Sequence, residues 1–452
     1  MNTHQRYASV AALVLLGALG CNSFLTGGDL SNDPNRPQDV SAQQLVVSTQ
    51  AELWAEMASD PARIAAMWTQ QLAGAQQQYR SIYTYGVSEA TTNGFHQGLY
   101  LGGGLVDLRK LQALARDKGD SIMLGVGQVE EAALMGTGAD IFGDIVYSNA
   151  FKDANPAPDK QMDIYAHLQD LLDSAIINLA ATGPTNVGPA TADVVYSGDP
   201  AKWTKFAYTL KARYYLHTAE VNGLPAYQAA LAAAQNGITD PADNYQAVFS
   251  GKAGEQNFWY QFDIVQRPGY LAPDPFFVNL LESRNDPRLA RYFNADQTDL
   301  SDALLAPNYN QPLVTANENL LIWAEAAYRT GDEATALQKL HEEEAIAGVP
   351  PSPSLSGNAL LAEILTEKYI SLFQTIEPWN DYKRTCWPNV VPVTTPAQVI
   401  PARLFYDAAE RQTDTSLLPP DQQPARNQND PANQSPDPQP GVPCFGQLGT
   451  AP

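Results

Sequence analysis

A chain of 452 residues with 44% hydrophobic content is long and apolar enough to bury one large core or two modest ones. Its formal net charge of −22, from 49 acidic against 27 basic residues, excludes nucleic acid as a partner, because phosphate binding needs a basic stripe that releases counterions. An acidic chain with only 17% charged residues suits export to a cell surface or periplasm.

Residues 1–20 place a polar stretch containing Arg6 before an apolar run from Ala8 to Leu19, which is too short for a permanent membrane span. The run ends in Ala18-Leu19-Gly20-Cys21, which reads as a lipobox, with Ala18 where leucine is commoner. The expectation is a signal peptide over 1–20 and lipidation of Cys21. Several acyl chains, at about 0.8 kcal/mol per buried methylene, would anchor the protein stably to a membrane. Residues 21–40 are rich in Gly, Asn, Asp and Pro and read as a tether.

From residue 41 to 416 helical signals dominate and come in pairs punctuated by glycine. Leu99, Leu105, Leu108, Leu111 and Leu114 keep mostly to helical spacing, Gly119 stops that helix, and a second apolar stretch runs from Ile122 to Ile141. Trp203, Phe206, Ala207, Leu210, Tyr214 and His217 share one face, with Gly223 as the stop and another helix following. Around 320–345, Ala324, Ala327 and Ala336 allow two helices to approach closely, Gly331 makes the turn and Leu340 closes the second helix. This is the layout of a tetratricopeptide unit. The fold class is therefore all-α, built of tetratricopeptide-like helix pairs. The intervals 77–97, 181–200, 238–275 and 294–316 read as long irregular loops, a common place for function. Residues 417–452 read as a proline-rich tail unable to bury enough surface to order itself.

Catalytic patterns are missing. His4, His96, His167, His217 and His341 are scattered, with no HExxH spacing; Gly86-Val87-Ser88-Glu89-Ala90 lacks the last glycine of a nucleophile elbow; no phosphate loop occurs. Asp296, Asp299 and Asp302 lack the oxygen density of a calcium loop. The expectation is a binding protein with no catalytic residues, cofactor or metal. A hydrolase remains a distant alternative, because paired carboxylates cannot be recognised from sequence. Cys386 and Cys444 are a candidate disulfide across a loop of about 60 residues, worth about 4 kcal/mol on the loop-entropy argument. Two unpaired thiols are the alternative.

Two loops carry the composition of a saccharide platform, where flat rings stack on C–H faces and amides or guanidinium groups grip hydroxyls. The first runs from Gln76 to Tyr85 and offers Tyr79, Arg80, Tyr83 and Tyr85, with Asn93 beyond it; the second offers Trp259, Tyr260 and Tyr270. These eight are the candidate ligand-binding residues, against the competing reading that such aromatics plug the core.

Several blocks in order resemble the SusD/RagB family of outer-membrane nutrient-binding lipoproteins, particularly its SusD-like branch. They are the Asn-Asp-Pro-Asn entry segment at 32–35, Ala139 to Phe151 with Val146 where proline is usual, and Asn285-Asp286-Pro287-Arg288. Glu377 to Thr385, followed by Ile400 to Tyr406, closes the series, with Cys386 where glycine is common. The resemblance implies a helical scaffold whose loops capture a glycan, or in some members a peptide. It also implies a TonB-dependent SusC-like transporter as partner. The remaining alternative is a tethered tetratricopeptide scaffold that binds only protein.

Overall fold

A computed structural model describes residues 40–153, 155–394 and 399–431. The entry segment, Cys21, Cys444 and the signal peptide lie outside the described residues.

Helix α1 (Ala42–Ala58) starts at a capping box in which the Ser41 side chain and the Gln44 side chain satisfy each other's backbone N–H groups. α2 (Asp60–Trp68) follows after Ser59, and the short α3 (Gln77–Tyr83) comes later. α4 (Leu105–Lys118) buries Leu105, Leu108, Leu111 and Ala115, and Gly119 ends it in the left-handed conformation (φ 67°) that favours glycine. α5 (Ser121–Phe142) is capped by Asp120 and buried almost all round, because α4 and α6 (Gln161–Leu179) flank it and α7 (Pro200–His217) crosses it. That crossing requires Gly136. A Cβ there would sit 2.1 Å from the Tyr214 hydroxyl, which donates to the Ala132 carbonyl at 2.8 Å.

The second and third pairs continue the stack. α8 (Leu224–Ala234) packs on α7, and both meet α10 (Ala316–Arg329), which follows α9 (Pro275–Ser283). α10 is capped by Thr315, turns at Gly331 (φ 95°) and pairs with α11 (Glu333–Ala347). Ala324, Ala327, Ala336 and Leu340 pack there with Leu360 and Ile364 of α12 (Gly357–Ser371), and α13 (Glu377–Thr385) closes the scaffold. The all-α reading holds, with tetratricopeptide-like pairs.

Three local expectations change. The intervals read as loops contain α3, a short helix at Asn93–Gly98, and three of four three- or four-residue strands, the other lying just before the first interval. These are β1 (Leu72–Gly74), β2 (Tyr245–Ala247), β3 (Leu271–Pro273) and β4 (Gln311–Val314), paired antiparallel as β1–β3 and β2–β4. α7 ends at His217 rather than Gly223, because a separate turn, Ala219–Asn222, intervenes. Residues 417–431, read as tail, pack on the scaffold. Leu417 joins the main core, and Asn427 donates to the Asp140 carbonyl at 3.1 Å and Asn429 to the His217 carbonyl at 3.1 Å, so side-chain amides add to the anchorage.

Beneath the pairs lies a buried ionic network joining two of the signature blocks. His217 Nδ1 meets Asp140 at 2.8 Å and Nε2 meets Glu377 at 2.9 Å. Glu377 also faces Arg213, which forks onto Glu318 with two 2.6 Å bonds. With each ring nitrogen on a separate carboxylate, both can donate when the imidazole is protonated. Burial alone would discharge it, but Asp140 and Glu377 outweigh burial and lift His217 to about 9 from 6.5. Because the folded pKa is the higher, the stabilisation is complete below about pH 6.5, falls as pH rises, and is gone above about pH 9. Melts between pH 6 and 10 are expected to show a loss on the order of 3 kcal/mol that His217→Gln flattens. An identical slope in the variant would mean that the native ring is neutral.

Candidate functional site

The β1–β3 ladder pairs Leu72 with Pro273 and Gly74 with Leu271. It thereby sets the two aromatic loops side by side. Ala75 N–H donates to the Tyr270 carbonyl at 2.8 Å, and Gly269 lies so close to Gln76 that a Cβ there would be 3.1 Å from its amide nitrogen.

Within this junction the candidate residues divide. Tyr79 is buried at 5% exposure, its hydroxyl donating to Asp60 at 2.7 Å and accepting from Arg63 Nε at 3.1 Å, its ring 4.6 Å from Phe262. Trp259 is fully buried at 0% exposure, with the Arg63 guanidinium 5.8 Å from its ring. Both are core rather than platform: Tyr79 has its polar end satisfied inside and Trp259 is sealed, so neither has a face left for a ligand.

The others reach solvent. Arg80 is exposed on α3; Tyr83, Tyr85, Tyr260 and Tyr270 are half-buried. Tyr83 donates to Asp274 at 2.5 Å, and the same carboxylate caps α9. Tyr85 holds a left-handed conformation (φ 68°) and its hydroxyl accepts from Val393 N–H at 3.1 Å, which fixes the ring at the surface. Arg267 lies 5.4 Å from the Tyr270 ring centroid, a cation–π contact. Asn93 begins the helix Asn93–Gly98, and its side chain lies outside the described residues.

The backbone reason for this division is a π-helical turn over Gln261–Gln266, which buries Phe262 and Asp263 and turns Ile264 and Val265 outward. Burial and the neighbouring Asp299 carboxyl push Asp263 up to about 8. For Asp60, burial works the other way from its partners; the Arg63 charge and the bonds from Arg63 and Tyr79 win and hold its carboxyl below the usual range. Arg63, Phe262 and Asp274, which shape the junction, were not among the sequence candidates. Only Asp274 carried a signal, as the Asp-Pro start of a helix.

The resulting surface presents glutamines 76, 77 and 78, Arg80 and Arg267 around half-buried tyrosines. It can stack a ring and hydrogen-bond its rim.

Cys386 ends α13 in the left-handed conformation (φ 63°) and is disulfide-bonded; the candidate pairing with Cys444 lies outside the described residues. No described helix is long and apolar enough to cross a membrane.

Comparison with known proteins extends this picture. Among the solved structures that share the fold are three relatives. A SusD/RagB family protein from Bacteroides thetaiotaomicron is 21% identical, with TM-score 0.68 over 84% of this chain and 95% of that one. A chitin-binding SusD homolog from Flavobacterium johnsoniae is 18% identical, with TM-score 0.69 over 85% and 98%. A SusD homolog from Bacteroides fragilis is 18% identical, with TM-score 0.66 over 84% and 94%. No curated protein sequence matches the chain. Residues 34–310 match the SusD-like family described as starch-binding and associating with the outer membrane, and the chain belongs to that family.

Proposed function

We propose that the protein is a lipid-anchored, surface-exposed binding protein of a bacterial outer membrane that captures oligosaccharide and passes it to a SusC-like TonB-dependent transporter without chemistry of its own. The observation that carries the reading is the β1–β3 junction, which gathers surface tyrosines, glutamines and two arginines from loops far apart in sequence. The family's description as starch-binding, and a chitin-binding homolog among its structural relatives, support a glycan as ligand. The lipobox at Cys21 supports the anchor. Peptide capture is the second reading, and the exposed Ile264 and Val265 beside the junction are what favour it.

The test is calorimetric titration of residues 22–452 with maltoheptaose, chitohexaose and a peptide pool. Tyr85→Ala combined with Tyr270→Ala is expected to weaken glycan binding at least tenfold, about 1.4 kcal/mol, with the melting temperature nearly unchanged. Peptide binding alone would move the protein to the second reading.

A further inference from the structure

Helices α9 and α12 face one another across unfilled space. On α9, Phe276, Asn279 and Ser283 recur at i, i+3 and i+7, and on α12 Asn358, Ala362 and Thr366 recur at i, i+4 and i+8, so each trio lines one helix face. Between them is a cavity of about 940 Å³, at the upper end of the roughly 300–1,000 Å³ usual for ligand sites. Trp387, buried and donating to Thr366 Oγ1 at 2.9 Å, also lines it. The Arg284–Glu363 ion pair borders both this cavity and a smaller one of about 370 Å³ lined by Pro350, Pro351 and Pro353.

We propose that this groove is a second binding site, for a neutral oligosaccharide, separate from the tyrosine surface; the proposal rests on the glycan reading above. Three features select that ligand.

The walls alternate apolar and polar groups. Phe276 and Ala362 offer contact to C–H faces, while the exposed carboxamides of Asn279 and Asn358 and the exposed Ser283 hydroxyl suit sugar hydroxyls. The charge is already spent: Arg284 forks onto Glu363 at 2.6 and 3.1 Å and reaches the buried Glu367 at 2.6 Å, so an anionic sugar would meet the Glu363 carboxylate and no unpaired cation among the lining residues. Finally, the two facing walls are helices, so the groove offers no strand edge along which an extended peptide could pair.

Asp274 places the groove beside the first surface, because one carboxylate caps α9 and holds Tyr83. An oligosaccharide long enough to reach both would gain affinity from linkage alone.

The experiment compares six proteins: wild type, Asn279→Ala/Asn358→Ala, the groove-filling Ala362→Trp, Tyr85→Ala/Tyr270→Ala, Cys386→Ser, and a truncation following Pro431. Each is titrated with maltoheptaose, chitohexaose and hexagalacturonate, beside a melting curve. Both groove variants are expected to lose a binding event for a neutral sugar, or at least tenfold in affinity, while the tyrosine variant retains that event. Hexagalacturonate is expected to bind at least tenfold more weakly than the neutral sugar. Neutral-sugar binding lost only in the tyrosine variant would overturn the groove and leave the glycan reading standing. Preference for hexagalacturonate would overturn the assigned ligand. Groove binding that appears only after Cys386→Ser or truncation following Pro431 would overturn it too, by making residues 432–452 the native occupant. No saccharide binding by any protein would sink both readings.

Discussion

Arg384→Leu is expected to destabilise the protein by about 3–5 kcal/mol, the penalty for removing one partner of a buried ion pair. Arg384 sits in α13 at 3% exposure and forks onto Glu325 of α10 with bonds of 2.6 and 2.7 Å. It also reaches Asp381 at 2.8 Å, which Lys368 holds from the other side at 3.0 Å. Burial pushes the Glu325 carboxyl up, but the Arg384 charge and hydrogen bonds, with help from Lys368 and Arg329, together outweigh it and hold Glu325 down at about 2. Without the guanidinium, a carboxylate at 0% exposure keeps Arg329, 3.9 Å away, and the more distant Lys368 charge, with no close bidentate partner among the described residues. Urea denaturation checks this. A loss under 1 kcal/mol would show that Arg329 or water reorganises to take over, and Glu325→Leu in the Arg384→Leu background should recover much of the stability.

Trp259→Ala is expected to cost about 3–5 kcal/mol and to lower ligand binding only through loss of folded protein. The indole is fully buried and packs beneath the Arg63 and Phe262 cluster; its N–H has no hydrogen-bond partner among the described residues, so the penalty is one of cavity and contact. Trp259→Phe should therefore cost much less. Chemical denaturation and titration on the same samples separate the effects. A stable Trp259→Ala protein with weakened binding would return this residue to the ligand surface.

These two residues mark where the sequence is readable and where it is not. Helix pairs are legible because their signals are local: an apolar stripe, a cap such as Asp120 or Thr315, and a glycine forced into φ > 0 as at Gly119 and Gly331. The family blocks were visible as well, but not their physical reason. Asp140 and Glu377 are joined through His217, which looks from spacing like one more member of an apolar face.

The candidate surface was legible as a composition and not as an orientation. Whether an aromatic near a loop end plugs the core or faces water was decided by β1, a Leu-Ala-Gly stretch too short to announce a strand, and by a π turn that no residue type announces. The groove escaped notice for a related reason. Its walls are ordinary helix faces, and only the failure of α9 and α12 to close on each other makes them a site.

The β1–β3 ladder has a consequence for how the protein comes to be active. Its strands lie about 200 residues apart, so the ladder closes a very large loop, and the entropy of that closure is recovered only when the intervening helix pairs have packed. The first tyrosine loop is therefore synthesised long before the strand that sets it beside the second. The candidate surface is assembled in one step, late, and a chain cut before Leu271 holds the first loop without its partner.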